Sequence, residues 1–145
     1  MLKITKLTDY ATIIISEMCD VKKEFISSSV LSTKTGISES TVVKILKLMT
    51  KKGLLLSHRG NAGGYKLEKK LNEISVLDVF SAIEGDLALT SCNLSSKNLC
   101  EYSDKCKVKN GWNKLNNLLI NTLKNISVED IIDDSVGFEL KKNLM

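Results

Sequence analysis

Proline is absent from this 145-residue chain, and glycine occurs only eight times. With 43% hydrophobic and 26% charged residues, that scarcity of backbone breakers excludes a disordered chain and describes a helix-rich globular one. A chain of this length buries about two-thirds of its unfolded surface and needs no covalent staples. Long apolar runs are missing too. The longest, residues 11–15, is interrupted by Thr12 and falls far short of the roughly 20 residues that span a bilayer. No basic, apolar, small-residue pattern opens the chain, so no membrane or secretory destination is indicated and the cytoplasm is the expected location. Histidine occurs once, as His58, and no acid–base constellation accompanies it. A redox or metal enzyme is therefore left without machinery, and the expectation is that this is not an enzyme.

Cysteine is present four times, and three of the four, Cys92, Cys100 and Cys106, fall within fifteen residues. In a reducing compartment such thiols bind metal or react more often than they pair structurally. Charge is also unevenly spread. Residues 34–70 hold nine Lys/Arg against two acids, whereas from Asp86 onward eight bases and eight acids cancel. A basic block in an otherwise neutral chain suits a polyanion, although a solvated lysine-rich face has the same composition.

The pattern around that block decides between the two. Residues 8–22 read as a first helix with Ala11, Ile14, Ile15 and Met18 on one face, capped by Thr8 or Asp9, with Cys19 a small buried hydrophobe beside it. A short second helix from about Ser28 points Val30 and Leu31 inward and stops at Gly36. Ser38 then caps a helix to about Lys52 with the stripe Val42, Ile45, Leu46 and Met49, completing a helix-turn-helix. Ser38, Ser40, Thr41, Lys44, Lys47 and Lys51 lie off that stripe and suit phosphate and base-edge contacts in a major groove. Two short strands, residues 54–57 and 65–67, flank the glycine-rich turn from Arg59 to Gly64 and make a wing. Arg59, Asn61 and Tyr65 belong to it, with the arginine suited to a narrow minor groove and His58 a DNA-facing or plain surface residue. The turn lacks the Gly-Lys-Ser/Thr ending of a phosphate-binding loop.

Ser75 to Asp78 is a capping box that opens a helix with Val79, Phe80 and Ile83, ending at Gly85. Residues 86–107 have no sustained period. Beyond them Trp112, Leu115, Leu119, Leu123 and Ile126, widened by Leu118 and Ile120, form one long stripe. So broad an apolar face needs a partner surface, and a second copy of the chain is the simplest one; packing back on its own domain is the alternative. Ser127 to Asp130 opens a short last helix. The expected fold class is mainly α with a small β wing, divided into a winged-helix DNA-binding domain (1–85), a cysteine-rich loop (86–107), a dimerisation helix with a short terminal helix (108–134) and a tail (135–145).

Several blocks, in order, resemble the Rrf family of bacterial winged-helix regulators: Lys6 to Thr12, the wing from Arg59 to Tyr65, Ala82-Ile83-Glu84-Gly85, Ala88 to Cys92, and Trp112. Within that family the chain is most similar to the SUF-system regulators of iron–sulfur cluster assembly. The resemblance implies a homodimer that binds double-stranded operator DNA as a repressor, controlled by an iron–sulfur cluster, usually [2Fe–2S], on Cys92, Cys100 and Cys106. IscR-like members carry a histidine three residues after the third cysteine, where this chain has Lys109, and their first cysteine gap is shorter than the seven residues here.

Three thiolates leave one coordination position to a harder, more exchangeable ligand, which suits a sensor. Spacings of seven and five residues are looser than those of zinc knuckles, though a Cys₃ zinc site and metal-free thiol sensing remain open alternatives. Asp9 of the partner subunit is the expected fourth ligand. No histidine follows Cys106, and the family's crossed dimerisation helices imply that one cysteine loop lies beside the other subunit's first helix. Glu101 and Asp104 are the intramolecular alternatives, and capping its own helix is the plain role for Asp9.

Overall fold

The structure, a computed structural model, describes residues 4–19, 24–93 and 105–133. Among them the architecture is mainly helical with one two-stranded sheet. Helix α1 (Lys6–Cys19) buries Ala11, Ile14, Ile15 and Met18, the face expected from their spacing. It begins earlier than Thr8, because the Thr5 hydroxyl receives the Thr8 N–H (3.5 Å) while Thr8 itself is buried in the first turn. Asp9 thus sits inside the helix, and its carboxylate makes no hydrogen bond or ion pair with the described residues. Cys19 closes the helix and is exposed, which corrects the expectation that it is buried.

Helix α2 (Ser28–Thr35) is capped by Ser27, whose hydroxyl accepts the Val30 N–H, and stops at Gly36. It rests on the core through fully buried Leu31; successive residues stand about 100° apart around a helix, so Val30 does not share that inward face and is 45% exposed. Helix α3 (Glu39–Lys51) buries Val42, Ile45, Leu46 and Met49 and packs on α2 and on α4 (Val76–Ile83). Strands β1 (Leu55–His58) and β2 (Gly64–Leu67) pair antiparallel, with Leu55 opposite Leu67 and His58 opposite Gly64.

The wing is fastened to the entry of α2. Ile26 and Tyr65 exchange both backbone hydrogen bonds, at 2.9 and 2.8 Å. Two glycines allow this approach. A Cβ on Gly64 would stand 2.5 Å from the Ile26 carbonyl oxygen, and one on Gly63 would stand 2.5 Å from that of His58. The tandem glycine is therefore a steric requirement of the wing root and not simply a flexible tip.

At the other end, α4 and α6 (Val128–Ile132) start side by side. Each opens with a capping box, Ser75 with Asp78 and Ser127 with Asp130, and Val76 and Val128 donate their N–H groups to Ile126 and Ile74 across the gap (2.9 and 2.8 Å). This junction returns the end of α5 (Lys109–Asn125) to the winged-helix core, where Val128 is buried. The stripe of α5 is consequently divided. Leu119 and Leu123 line a groove against their own α1, α4 and α6, while Trp112 (42% exposed), Leu115 (48%) and Leu118 remain on the surface. No helix among the described residues is long and apolar enough to cross a membrane.

Candidate nucleic-acid interface and cysteine loop

The off-stripe residues of α3 share one surface with the wing. Ser38 has the backbone position of an N-cap, but its hydroxyl makes no cap bond and lies 2.8 Å from the Thr41 hydroxyl and 3.4 Å from that of Ser40. Ser38, Ser40, Lys44 and Lys47 are exposed and Thr41 is half-buried. From the wing come exposed Arg59 and Asn61. Tyr65 is different: it is half-buried at the wing root, packed on the core.

Lys47, Lys51 and Arg59 converge with Ser27 and Ser28 on one groove of about 610 Å³. Its floor thus joins the N-terminus of α2, the face of α3 and the wing. Three cations beside a helix N-terminus make an environment for a polyanion's phosphates. Ser27 and Ser28 were not among the sequence-derived candidates, although the Ser27-Ser28-Ser29 run marked a cap that could have drawn attention to them. The His58 and Phe25 rings lie 5.6 Å apart between centroids with their planes tilted by 47°, and the Lys66 ammonium stands 5.4 Å over the Phe25 ring. His58 is thereby part of a wing-root packing cluster.

The cysteine segment is described at its two ends. Cys92 lies in a 3₁₀ turn, Ser91–Asn93, that packs against α5. Cys106 is a free, half-buried thiol just before α5 begins. Cys100, like Glu101 and Asp104, lies outside the described residues. Among the described residues no group of three metal-ligating side chains is assembled.

The root of this segment is held from two sides. Asn116, only 4% exposed on α5, accepts the Leu89 N–H at 2.9 Å. Glu84, the C-cap of α4, accepts hydroxyl hydrogen bonds from Thr5 and, at 2.6 Å, from Thr8. The loop is thus tied to α5 on one side and to the start of α1 on the other. Neither tie is visible in the sequence, because each joins residues 27 to 79 positions apart. Asp9, one residue past Thr8, is exposed and borders the apolar groove of about 500 Å³ that Leu119 and Leu123 line.

Comparison with known proteins places these features in a family. A family model described as Rrf2, iron-dependent transcriptional regulator, matches residues 4–134. The HTH-type transcriptional regulator IscR of Pectobacterium atrosepticum is 32% identical over 104 residues, 72% of this chain and 62% of that protein. The chain therefore matches less than two thirds of that relative's length. Among solved structures, T. potens IscR superposes with a TM-score of 0.65 at 22% identity, covering 93% of this chain and 89% of the other. CymR, the global cysteine regulator of B. subtilis, superposes with a TM-score of 0.64, also at 22% identity, covering 90% and 96%. These two likenesses establish the winged-helix fold.

Proposed function

This chain belongs to the Rrf2 family of transcriptional regulators, and from that membership we propose that it is a cytoplasmic homodimer that binds operator DNA as a repressor of SUF-type iron–sulfur assembly genes under the control of an iron–sulfur cluster. It is a regulator and not an enzyme. The observation that carries the DNA-binding reading is the convergence of Lys47, Lys51 and Arg59 with the N-terminus of α2 in one groove. In this reading, Ser38, Ser40, Thr41, Lys44 and Lys47 meet the major groove and its flanking phosphates, and Arg59 and Asn61 reach the minor groove. Tyr65 acts through the wing root.

The donor set suits the proposed cofactor. Cys92, Cys100 and Cys106 would supply three thiolates, and the carboxylate of Asp9, unengaged among the described residues, would complete the set from the partner subunit. A [2Fe–2S] cluster bound there would supply a redox-sensitive and ligand-exchangeable centre. Asp9 has no cap bond of its own to lose, which favours the ligand role over the capping role. The exposed seam of Trp112, Leu115 and Leu118 gives the dimer reading its surface.

Glu84 and Asn116 are then positioning residues. They hold residues 84–89 against α1 and α5, so a rearrangement of the loop pulls on α4, which packs directly on α3. The deciding experiment combines an absorption spectrum of anaerobically purified protein with binding to a SUF-type promoter fragment before and after cluster removal. A cluster spectrum with cluster-dependent affinity is expected; colourless protein that binds equally well oxidised and reduced overturns cluster control. The second reading is a metal-free thiol sensor or a zinc-stabilised regulator of the same fold, favoured by the free, half-buried Cys106 thiol and by Lys109 at the usual histidine position. Thiol titration and metal analysis of the same preparation separate these.

A further inference from the structure

Glu39 is the first residue of α3, the helix read above as meeting the major groove, and its only acid, on a helix that also carries Lys44, Lys47 and Lys51. It is exposed and forms no ion pair among the described residues. Its one side-chain bond among the described residues comes from the neighbouring helix: the Ser28 hydroxyl donates to Glu39 Oε1 at 3.1 Å. One carboxylate oxygen is therefore occupied and oriented by α2, and the other is left open at the tip of α3. A carboxylate at the front of a DNA-binding surface works against phosphates, so its cost has to be met by a partner that prefers it.

The hydroxyls around it cannot supply that selectivity. The Ser38 hydroxyl lies 3.4 Å from that of Ser40 and 2.8 Å from that of Thr41, and each of the three can rotate to donate or to accept. They adapt to many base edges. A carboxylate only accepts. In the major groove guanine presents two acceptors, thymine an acceptor and a methyl group, and adenine a donor beside an acceptor; cytosine alone presents its N4 amino group without a neighbouring acceptor on the same base.

We propose that Glu39, steadied by Ser28, is a specificity-determining residue that accepts a hydrogen bond from the N4 amino group of a cytosine in each half-site, repels guanine and thymine there, and meets adenine's N6 donor only beside the N7 acceptor. The proposal rests on the DNA-binding reading above. It also separates two jobs on one helix: the lysines attract any duplex, while the single acid penalises wrong ones.

The test is selection from a pool of randomised DNA duplexes with the full-length dimer, its E39Q, E39A and S28A variants, and sequencing of the bound fraction. Wild type is expected to enrich a two-fold motif with cytosine at one position of each half-site. E39A should lose that preference by about 5- to 150-fold while keeping the rest of the motif. E39Q should move it toward adenine, because a glutamine amide pairs with the N6 and N7 edge of adenine. S28A should weaken the cytosine preference at the same position. A wild-type motif retained unchanged by E39Q and E39A overturns the proposal, even if both variants melt at lower temperature, since that pattern is what a purely helix-stabilising acid gives. A wild type that enriches no motif overturns the DNA-binding reading and this proposal together.

Discussion

Replacing Gly64 with alanine tests whether the wing works as a fastened lever. The new methyl would lie 2.5 Å from the Ile26 carbonyl oxygen and 2.6 Å from its carbon, both backbone atoms that cannot rotate away. The residue also sits at φ +157°, where a side chain adds strain. Relief requires opening the Ile26–Tyr65 bridge and with it two backbone hydrogen bonds of 2.9 and 2.8 Å. At about 0.5–1.5 kcal/mol each, their loss amounts to about 1–3 kcal/mol of stability. The same opening detaches the wing from the entry of α2 and displaces Arg59 from the groove it shares with Ser28 and Lys47. Affinity for promoter DNA should therefore fall together with stability. Gly60→Ala is the control, since that position has positive φ but nothing within 4 Å of an added methyl. It should cost only about 1 kcal/mol of backbone strain. Urea unfolding followed by circular dichroism, with fluorescence anisotropy on a labelled promoter duplex, reads both quantities. Equal effects of Gly64→Ala and Gly60→Ala on both would refute the claim that the wing is clamped through Ile26.

Three further outcomes follow from the same geometry. Arg59→Ala should weaken promoter binding by about 1–3 kcal/mol, and unchanged affinity at two salt concentrations would remove Arg59 from the interface. The double variant Trp112→Glu, Leu115→Glu places charge on the exposed seam of α5 without touching the groove that Leu119 and Leu123 line; sedimentation should then report a folded monomer, and an intact dimer would put the interface elsewhere. Asp9→Ala and Asp9→Asn should both shorten the lifetime of a reconstituted cluster and alter its spectrum, whereas identical spectra, lifetimes and DNA affinity would leave Asp9 as a residue of the helix dipole alone.

What could be read from the chain and what could not divide along a physical line. The helix-turn-helix and wing were legible because their signals are local: Ser27 caps α2, Gly36 stops it, the Val42–Ile45–Leu46–Met49 stripe has helical period, and the glycine-rich turn after His58 joins two short strands. Periodicity groups the apolar residues of α5 on one arc, but it does not say which of two surfaces covers each. Leu119 and Leu123 turn to their own domain because the paired capping boxes at Ser75 and Ser127 pull that end of the helix onto α4. Neither Thr8 nor Asp9 caps α1, for a similar reason: the Thr5 hydroxyl takes that work earlier in the chain.

The two ties at the root of the cysteine segment carry no sequence period at all, yet they constrain any mechanism that starts in the loop. Glu84 is the last-turn neighbour of a helix packed on both α1 and α3, and its acceptor oxygen is shared by two hydroxyls at the start of α1, one of them on buried Thr8. Asn116 is buried and holds the Leu89 N–H, whose loss would leave an unsatisfied donor costing about 1–3 kcal/mol. Residues 84–89 therefore cannot shift freely: movement away from α5 breaks the bond to Asn116, and movement away from α1 strands the hydroxyl of Thr8. A displacement that keeps both ties must carry α5 and the start of α1 with it, together with α4, which Glu84 caps. Since α4 packs against α3, it gives such a movement a direct route to the surface proposed to meet DNA.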